Sequence, residues 1–407
     1  MKLLRALSLL AVAVALLVGS SLGSQAAPAD RPLWQASAQK SVPGDVTFQA
    51  LTQLPDTAAI QLVKVDADAL TGETVQLTLP GGRDVVARRT EARPTGEGRS
   101  AWHGELSTSV QQSGKAEARI DEMNAVALVR NGDRVTGSIR VEGQLYRLVP
   151  VRSGLHAVVQ VDERRSPVSA DPRATPEPAP APKAQAPQAS TVRVLVAVSA
   201  TAAERIDDVN ALADLAIEES NRGLANSLVP VTFELAGIHQ TQYAETAGAD
   251  HLGRLQKTSD GIMDEVHAAR NATAADVVVL LAVEPSYCGL GYVNVAATFA
   301  FSVVNWTCAT GNYSFAHEIG HNFGALHDPL NSTNTAYPYG HGYQHQPGTA
   351  GDWRTVMAYD CTGGCPRINY WSNPRVTYNG ARMGTAGKHD NARVLTTRAA
   401  AVAAFRA

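Results

Sequence analysis

His317-Glu318-Ile319-Gly320-His321-Asn322-Phe323-Gly324-Ala325-Leu326-His327-Asp328 is the stretch on which the reading of this chain turns. In a helix, His317 and His321 lie one turn apart on one face, so two imidazoles can reach one metal ion. Glu318 is offset by about 100°, close enough to that face for its carboxylate to reach a metal-associated water. Phe315, Ile319 and Phe323 recur at i, i+4 and i+8 and would bury the opposite side. Gly324 can take a left-handed conformation and end the helix. His327 then supplies a third ligand from a direction the helix cannot. With 11 His among 407 residues, a chance His-Glu-x-x-His has odds of about one in a hundred on composition. Adding the Gly and the third His at their spacings lowers this to roughly a few in a hundred thousand. Three neutral imidazoles with one open position are what a catalytic zinc requires.

These residues resemble the metzincin metallopeptidases, whose pattern is His-Glu-x-x-His-x-x-Gly-x-x-His followed by a Met-turn. Asp328 directly after the third His is similar to the adamalysin/reprolysin branch. A Met-turn candidate follows at Thr355-Val356-Met357-Ala358-Tyr359-Asp360. The resemblance implies that Met357 forms an apolar floor beneath the metal. The Met-x-Tyr spacing departs from the adamalysin branch and looks more like the astacin and serralysin branches. It therefore implies a role for Tyr359 in zinc ligation or at the transition state. The resemblance covers roughly residues 191–407 and is nearest to secreted bacterial reprolysin-like peptidases.

Length and composition agree with a multidomain globular chain: 407 residues, 44% hydrophobic and 18% charged. The formal net charge of −3 gives no argument for nucleic acid or an anionic membrane as partner. Lys2 and Arg5 precede the apolar run Leu7 to Val18, and Ser24-Gln25-Ala26 offers a small-x-small cleavage site, so residues 1–26 read as a secretory signal peptide. The run is too short to span a bilayer, and nothing later is long and apolar enough to do so. Residues 27–165 read as a β-rich unit, with short strands around Val135–Val141, Tyr146–Pro150 and Leu155–Val161 separated by turn signals. Trp102-His103-Gly104 reads as packing rather than chemistry.

Between Ser166 and Ser190, seven of 25 residues are Pro and seven are Ala, which predicts an extended, solvated linker. Beyond it, helical and strand patterns alternate. Val192–Val198, Val229–Ile238, Asp276–Val283, Gly289–Asn294 and Phe301–Asn305 read as strands. Asp207–Ala225, Ser259–Ala269 and Asn391–Phe405 read as helices. The expected fold is an α/β catalytic domain at 191–407, with a mostly parallel twisted sheet and the metal-binding helix, preceded by a β-rich propeptide domain. The resemblance adds that Gly289–Asn294 is an antiparallel edge strand bordering the cleft, where an extended peptide substrate could pair.

Cys288, Cys308, Cys361 and Cys365 all fall in the second unit, and an even number in a secreted chain implies two disulfides. Of the three connectivities, Cys288–Cys308 and Cys361–Cys365 fit the short strands and the loop after the Met-turn best. His341 and His345 lie among Gly and Pro and read as loop residues.

The expectation is a secreted, monomeric zinc endopeptidase made as a zymogen, with one catalytic Zn2+ held by His317, His321 and His327. Glu318 would serve as general base, Tyr359 as oxyanion donor, and Asp328 would orient the loop beneath the metal. A cell-wall peptide amidase and a non-catalytic binding protein are the alternatives. Ca2+ dependence and side-chain preference leave no readable sign. Residues 1–287 contain no Cys, so a propeptide thiol cannot silence the metal. The N-terminal unit would have to inhibit by occlusion or through another ligand such as His103, His156, Asp162 or Glu163, of which the two carboxylates beside the tether are the more economical choice.

Overall fold

The computed structural model describes residues 31–106, 120–176, 179, 188–333, 336–348 and 351–406. The expected signal peptide lies outside them. Among the described residues no helix is long and apolar enough to cross a membrane.

The N-terminal unit is built on a ten-stranded sheet whose middle is an antiparallel meander from Thr74–Thr78 through His156–Val161. The three strands expected from the sequence are there, as Arg134–Val141, Gln144–Pro150 and His156–Val161. Thr57–Val65, Thr74–Thr78, Asp84–Gly96, Arg99–Leu106 and Ala125–Asn131 extend the sheet. Asp84–Gly96 escapes a pattern reading because it is polar and largely exposed. Strand Arg134–Val141 is buried on both faces for a different reason. Val135, Ile139 and Val141 face the unit's own core, while the alternate residues Thr136, Ser138 and Arg140 are also buried. Those polar residues meet the second unit: the Ser138 hydroxyl donates to Glu219, and Arg140 donates to the Gly311 carbonyl.

The second unit holds a five-stranded sheet in the order Val231–Gln240, Ser190–Val198, Val277–Ala282, Phe301–Asn305, Gly289–Gly291. The first four strands pair parallel and the last is antiparallel. Val277–Ala282 is entirely buried, as a parallel strand covered on both faces must be. Helix Val209–Asn226 packs on this sheet and on the N-terminal sheet at once. Its carboxylates are therefore buried but paired: Arg99 lies 2.6 Å from Asp214, Arg93 lies 2.9 Å from Glu218, and Arg222 on the helix reaches Glu122 at 2.8 Å. His103 and His156, candidate propeptide ligands, stay away from the metal-binding helix: His103 faces Glu218 at 3.2 Å, and His156 accepts from Val135 N–H at 3.1 Å. The disulfides are Cys288–Cys308 and Cys361–Cys365.

The linker departs from expectation. Its described first half is not a free tether: it lies along the edge strand, with Val168 and Asp171 exposed. Cys288 N–H donates to Val168 O, Ala170 N–H to Gly289 O, Arg173 N–H to Gly291 O and Val293 N–H to Arg173 O, in parallel register. An antiparallel edge strand leaves its outer backbone groups unpaired, and this segment satisfies them.

Candidate active site

Helix Ser314–Phe323 carries the first two histidines. Phe315, Ile319 and Phe323 are buried in the main core, as the period predicts. Gly324 takes φ 108° and its N–H donates to His321 O at 2.8 Å, ending the helix. The turn brings His327 back, so that its Nε2 stands 3.1 Å from Nε2 of both His317 and His321. For ligand nitrogens 2.0–2.1 Å from a tetrahedral metal the expected separation is roughly 3.3 Å. The opposite ring nitrogens are tied to backbone carbonyls: His317 Nδ1 donates to Val356 O at 2.9 Å, and His321 Nδ1 to Ala325 O at 2.8 Å. Those bonds set the tautomer and leave two Nε2 lone pairs aimed inward. Burial, with each ring beside the others, pushes His317 and His321 well below the usual imidazole range, and burial brings His327 to about 3. Neutral, converging imidazoles are the donor set a divalent zinc-like ion takes. Among the described residues this is the one such cluster.

Glu318 is fully buried beside them, with Oε1 3.9 Å from His317 Nε2. Neither carboxylate oxygen has a hydrogen-bond partner, although Ser169 of the connecting segment faces it. Burial pushes this carboxyl well above the ordinary glutamate range. A buried carboxylate without a paired charge is costly. Gly289 makes the position possible, since a Cβ there would stand 2.5 Å from Glu318 Cγ and Cδ.

Met357 is fully buried, and its Sδ would lie 3.2 Å from a Cβ at Gly320, between the two helical histidines. Asp328 accepts from Tyr359 N–H at 3.1 Å and from Asn331 Nδ2 at 2.9 Å, tying the Met-turn to the loop after the third histidine. The Tyr359 ring lies over His327 with centroids 4.2 Å apart. Its hydroxyl donates to Ser169 O at 2.8 Å and to Asp171 Oδ1 at 3.3 Å. Burial, followed by Asp171, pushes this phenol above its ordinary range. His341 is buried and donates from Nδ1 to His327 O, while His345 stacks on Trp353. Neither joins the three histidines.

Asp162 and Glu163 do not reach the cleft: Asp162 caps a short helical turn and Glu163 pairs with Arg140. The carboxylate that does arrive is Asp171, 3.5 Å from His327 Nδ1. Sequence reasoning missed Ser169 and Asp171 because nothing in a Pro/Ala-rich stretch signals pairing with an edge strand.

Residues 188–372 match the sequence profile of the reprolysin-like metallo-peptidases of family M12. The chain is 44% identical over 371 residues, 88% of each chain, to a peptidyl-Asp metalloendopeptidase of Stenotrophomonas maltophilia. It is 41% identical to one from Xanthomonas campestris, covering 96% of this chain and 97% of that one. A Pseudomonas fragi protein of the same name is 42% identical over its whole length, which matches 46% of this chain. With near-complete coverage at this identity, the chain is a metalloendopeptidase and belongs to metallopeptidase family M12, within the metzincins.

Proposed function

We propose that the protein is a secreted, zinc-dependent endopeptidase that cleaves proteins at aspartate residues and is made as a zymogen. The observation that carries the reading is the convergence of His317, His321 and His327 beside an unpartnered, buried Glu318. Zinc bound there supplies a Lewis acid that acidifies water and polarises a carbonyl. Glu318 takes the proton from the attacking water and passes it to the leaving amine, from its place beside the histidines. The Tyr359 hydroxyl donates toward the developing oxyanion once the connecting segment no longer occupies it. Asp328 holds Tyr359 in position through the backbone. The edge strand Gly289–Gly291 receives the extended substrate. The aspartate preference follows the names of the relatives.

On this reading residues 1–26 direct export, 27–165 fold as an inhibitory unit, 166–190 tether it and 191–407 carry the catalysis. Latency is occlusion: segment 168–173 takes the edge strand's hydrogen bonds, covers Glu318 with Ser169 and holds Tyr359 through Ser169 and Asp171. The test is to isolate the full chain, measure zinc content, and follow hydrolysis of an aspartate-containing peptide before and after cutting within 166–190. Activity should rise on cutting and vanish on chelation. A metal-free chain that hydrolyses the peptide would overturn the assignment.

A further inference from the structure

The helix that carries His317 and the Met-turn that carries Tyr359 are joined from behind by one buried cation. Arg367 donates from Nη1 to Asn312 O at 2.9 Å, just before the active-site helix, and from Nη2 to Ala358 O at 3.3 Å, between Met357 and Tyr359. Arg354 is its neighbour on a paired extended segment: Arg354 N–H donates to Pro366 O at 3.0 Å and Ile368 N–H to Arg354 O at 2.9 Å. Both side chains are buried, and the Nε of each lacks a hydrogen-bond partner. Two adjacent buried guanidiniums are unfavourable unless carboxylates answer them.

Among the described residues no carboxylate closes on either of them. Asp360 Oδ1 stands 3.7 Å from Arg354 Nε. Glu163, brought in by the N-terminal unit and largely covered, gives its two oxygens to Arg140 at 2.7 and 2.8 Å, with Arg354 and Arg367 further from it. Arg140 thus has a two-pronged carboxylate partner, whereas neither Arg354 nor Arg367 has a carboxylate at hydrogen-bond distance among the described residues. If residues 27–165 leave, Arg140 and Glu163 leave together. Arg354 and Arg367 then keep Asp360, with Asp328 further off, and the space of the departed pair opens next to them.

We propose that Arg367, flanked by Arg354, is the specificity-determining group that receives the substrate's aspartate carboxylate, and that Glu163 stands at this charge site until the N-terminal unit is released. The proposal rests on the aspartate-directed reading above and names the residues that select the side chain. A guanidinium offers a fork of donors that a carboxylate fills and a carboxamide does not. Arg367 already spends two N–H groups on carbonyls, so its fork is fixed in direction before substrate arrives.

The test compares matched peptides with Asp, Asn or Glu at the selected position, using the full chain after processing, as wild type, Arg367→Gln, Arg367→Lys and Arg354→Gln. For wild type, kcat/KM should favour Asp over Asn, and Arg367→Gln should lower that ratio on the order of 10²-fold. Arg367→Lys should keep part of the preference, and Arg354→Gln should lower it less. Zinc content and thermal unfolding identify a variant that does not fold; if Arg367→Gln is lost that way, Arg367→Lys and Arg354→Gln decide. A wild type indifferent to Asp and Asn overturns the aspartate reading itself. A wild type that prefers Asp, with folded variants that keep the full preference, overturns the arginine assignment and leaves that reading standing.

Discussion

The helix Ser314–Phe323 and the connecting segment 166–176 meet across Glu318, and they are built in opposite ways. The helix makes its own backbone hydrogen bonds, so its side chains fall where a 3.6-residue period puts them, with His317 and His321 inward and Phe315, Ile319 and Phe323 in the core. The segment has almost no internal bonding. Its order comes from the outer edge of Gly289–Gly291, whose N–H and C=O groups fix the residues placed over the histidines. A helix writes its geometry into its own sequence. An edge-paired segment borrows its geometry from a strand more than a hundred residues away, and composition alone then reads as solvated coil.

Mutating each partner separates the two. Glu318→Gln strikes the helix side and should produce the largest effect, a fall of about 10²–10⁴-fold in kcat with the metal retained. Zinc analysis of the inactive variant distinguishes loss of the base from loss of a ligand. Near wild-type turnover would mean that Glu318 is not the proton carrier. Tyr359→Phe strikes both sides, since the hydroxyl meets Ser169 O and Asp171 in the intact chain. In the processed enzyme, kcat should fall by up to about 10²-fold with little change in KM. In the intact chain, background hydrolysis measured relative to the processed variant should rise. An unchanged relative background would show that this bond does not hold the segment in place.

Much of the catalytic unit was readable because its signals are local. The His-Glu-x-x-His spacing, Gly324 after it, and the apolar strand Val277–Ala282 each need only a few neighbours to be recognised. What stayed hidden depends on distant partners. Gly289 and Gly291 look like strand residues with weak β propensity, and only the folded chain reveals that the Glu318 side chain lies against Gly289. Nothing local to their helix reveals that Asp214, Glu218 and Glu219 are buried against Arg99, Arg93 and Ser138 of the first unit. Asp162 and Glu163 were closest to the tether in sequence, whereas Asp171, within it, arrives beside His327.

Gly289→Ala probes the point where strand, helix and segment touch. Its methyl would stand 2.5 Å from Glu318 Cγ and Cδ, so the carboxylate or the strand must move. A loss of about 1–3 kcal/mol in unfolding free energy is expected from such overpacking, together with reduced turnover in the processed enzyme. A variant as stable and active as wild type would show that the edge strand has room to shift.

The smallest expected effect concerns the seam between the units and is read as pH dependence. Glu219 is fully buried there, accepting from Ser138 Oγ and, at 2.8 Å, from Gly311 N–H. Burial raises its pKa from the usual 4.5 to about 7, with Glu122 adding to the rise and Ser138, Gly311 and Arg140 opposing it. Release of the N-terminal unit exposes the group and returns it toward the ordinary glutamate value. Below about pH 4.5 Glu219 is protonated in both states, and docking gains its full contribution. As pH rises through about 7 the docked carboxyl must ionise in a buried site, and that contribution is lost. The cleaved N-terminal unit should therefore bind its catalytic partner more tightly at pH 5.5 than at pH 8, and precursor cut within 166–190 should shed it faster at the higher pH. Glu219→Gln keeps the shape but cannot ionise, so it should flatten this dependence. If the variant keeps the full wild-type pH slope, the titration belongs to another group at the seam, and Glu219 serves only as an acceptor for Ser138 and Gly311.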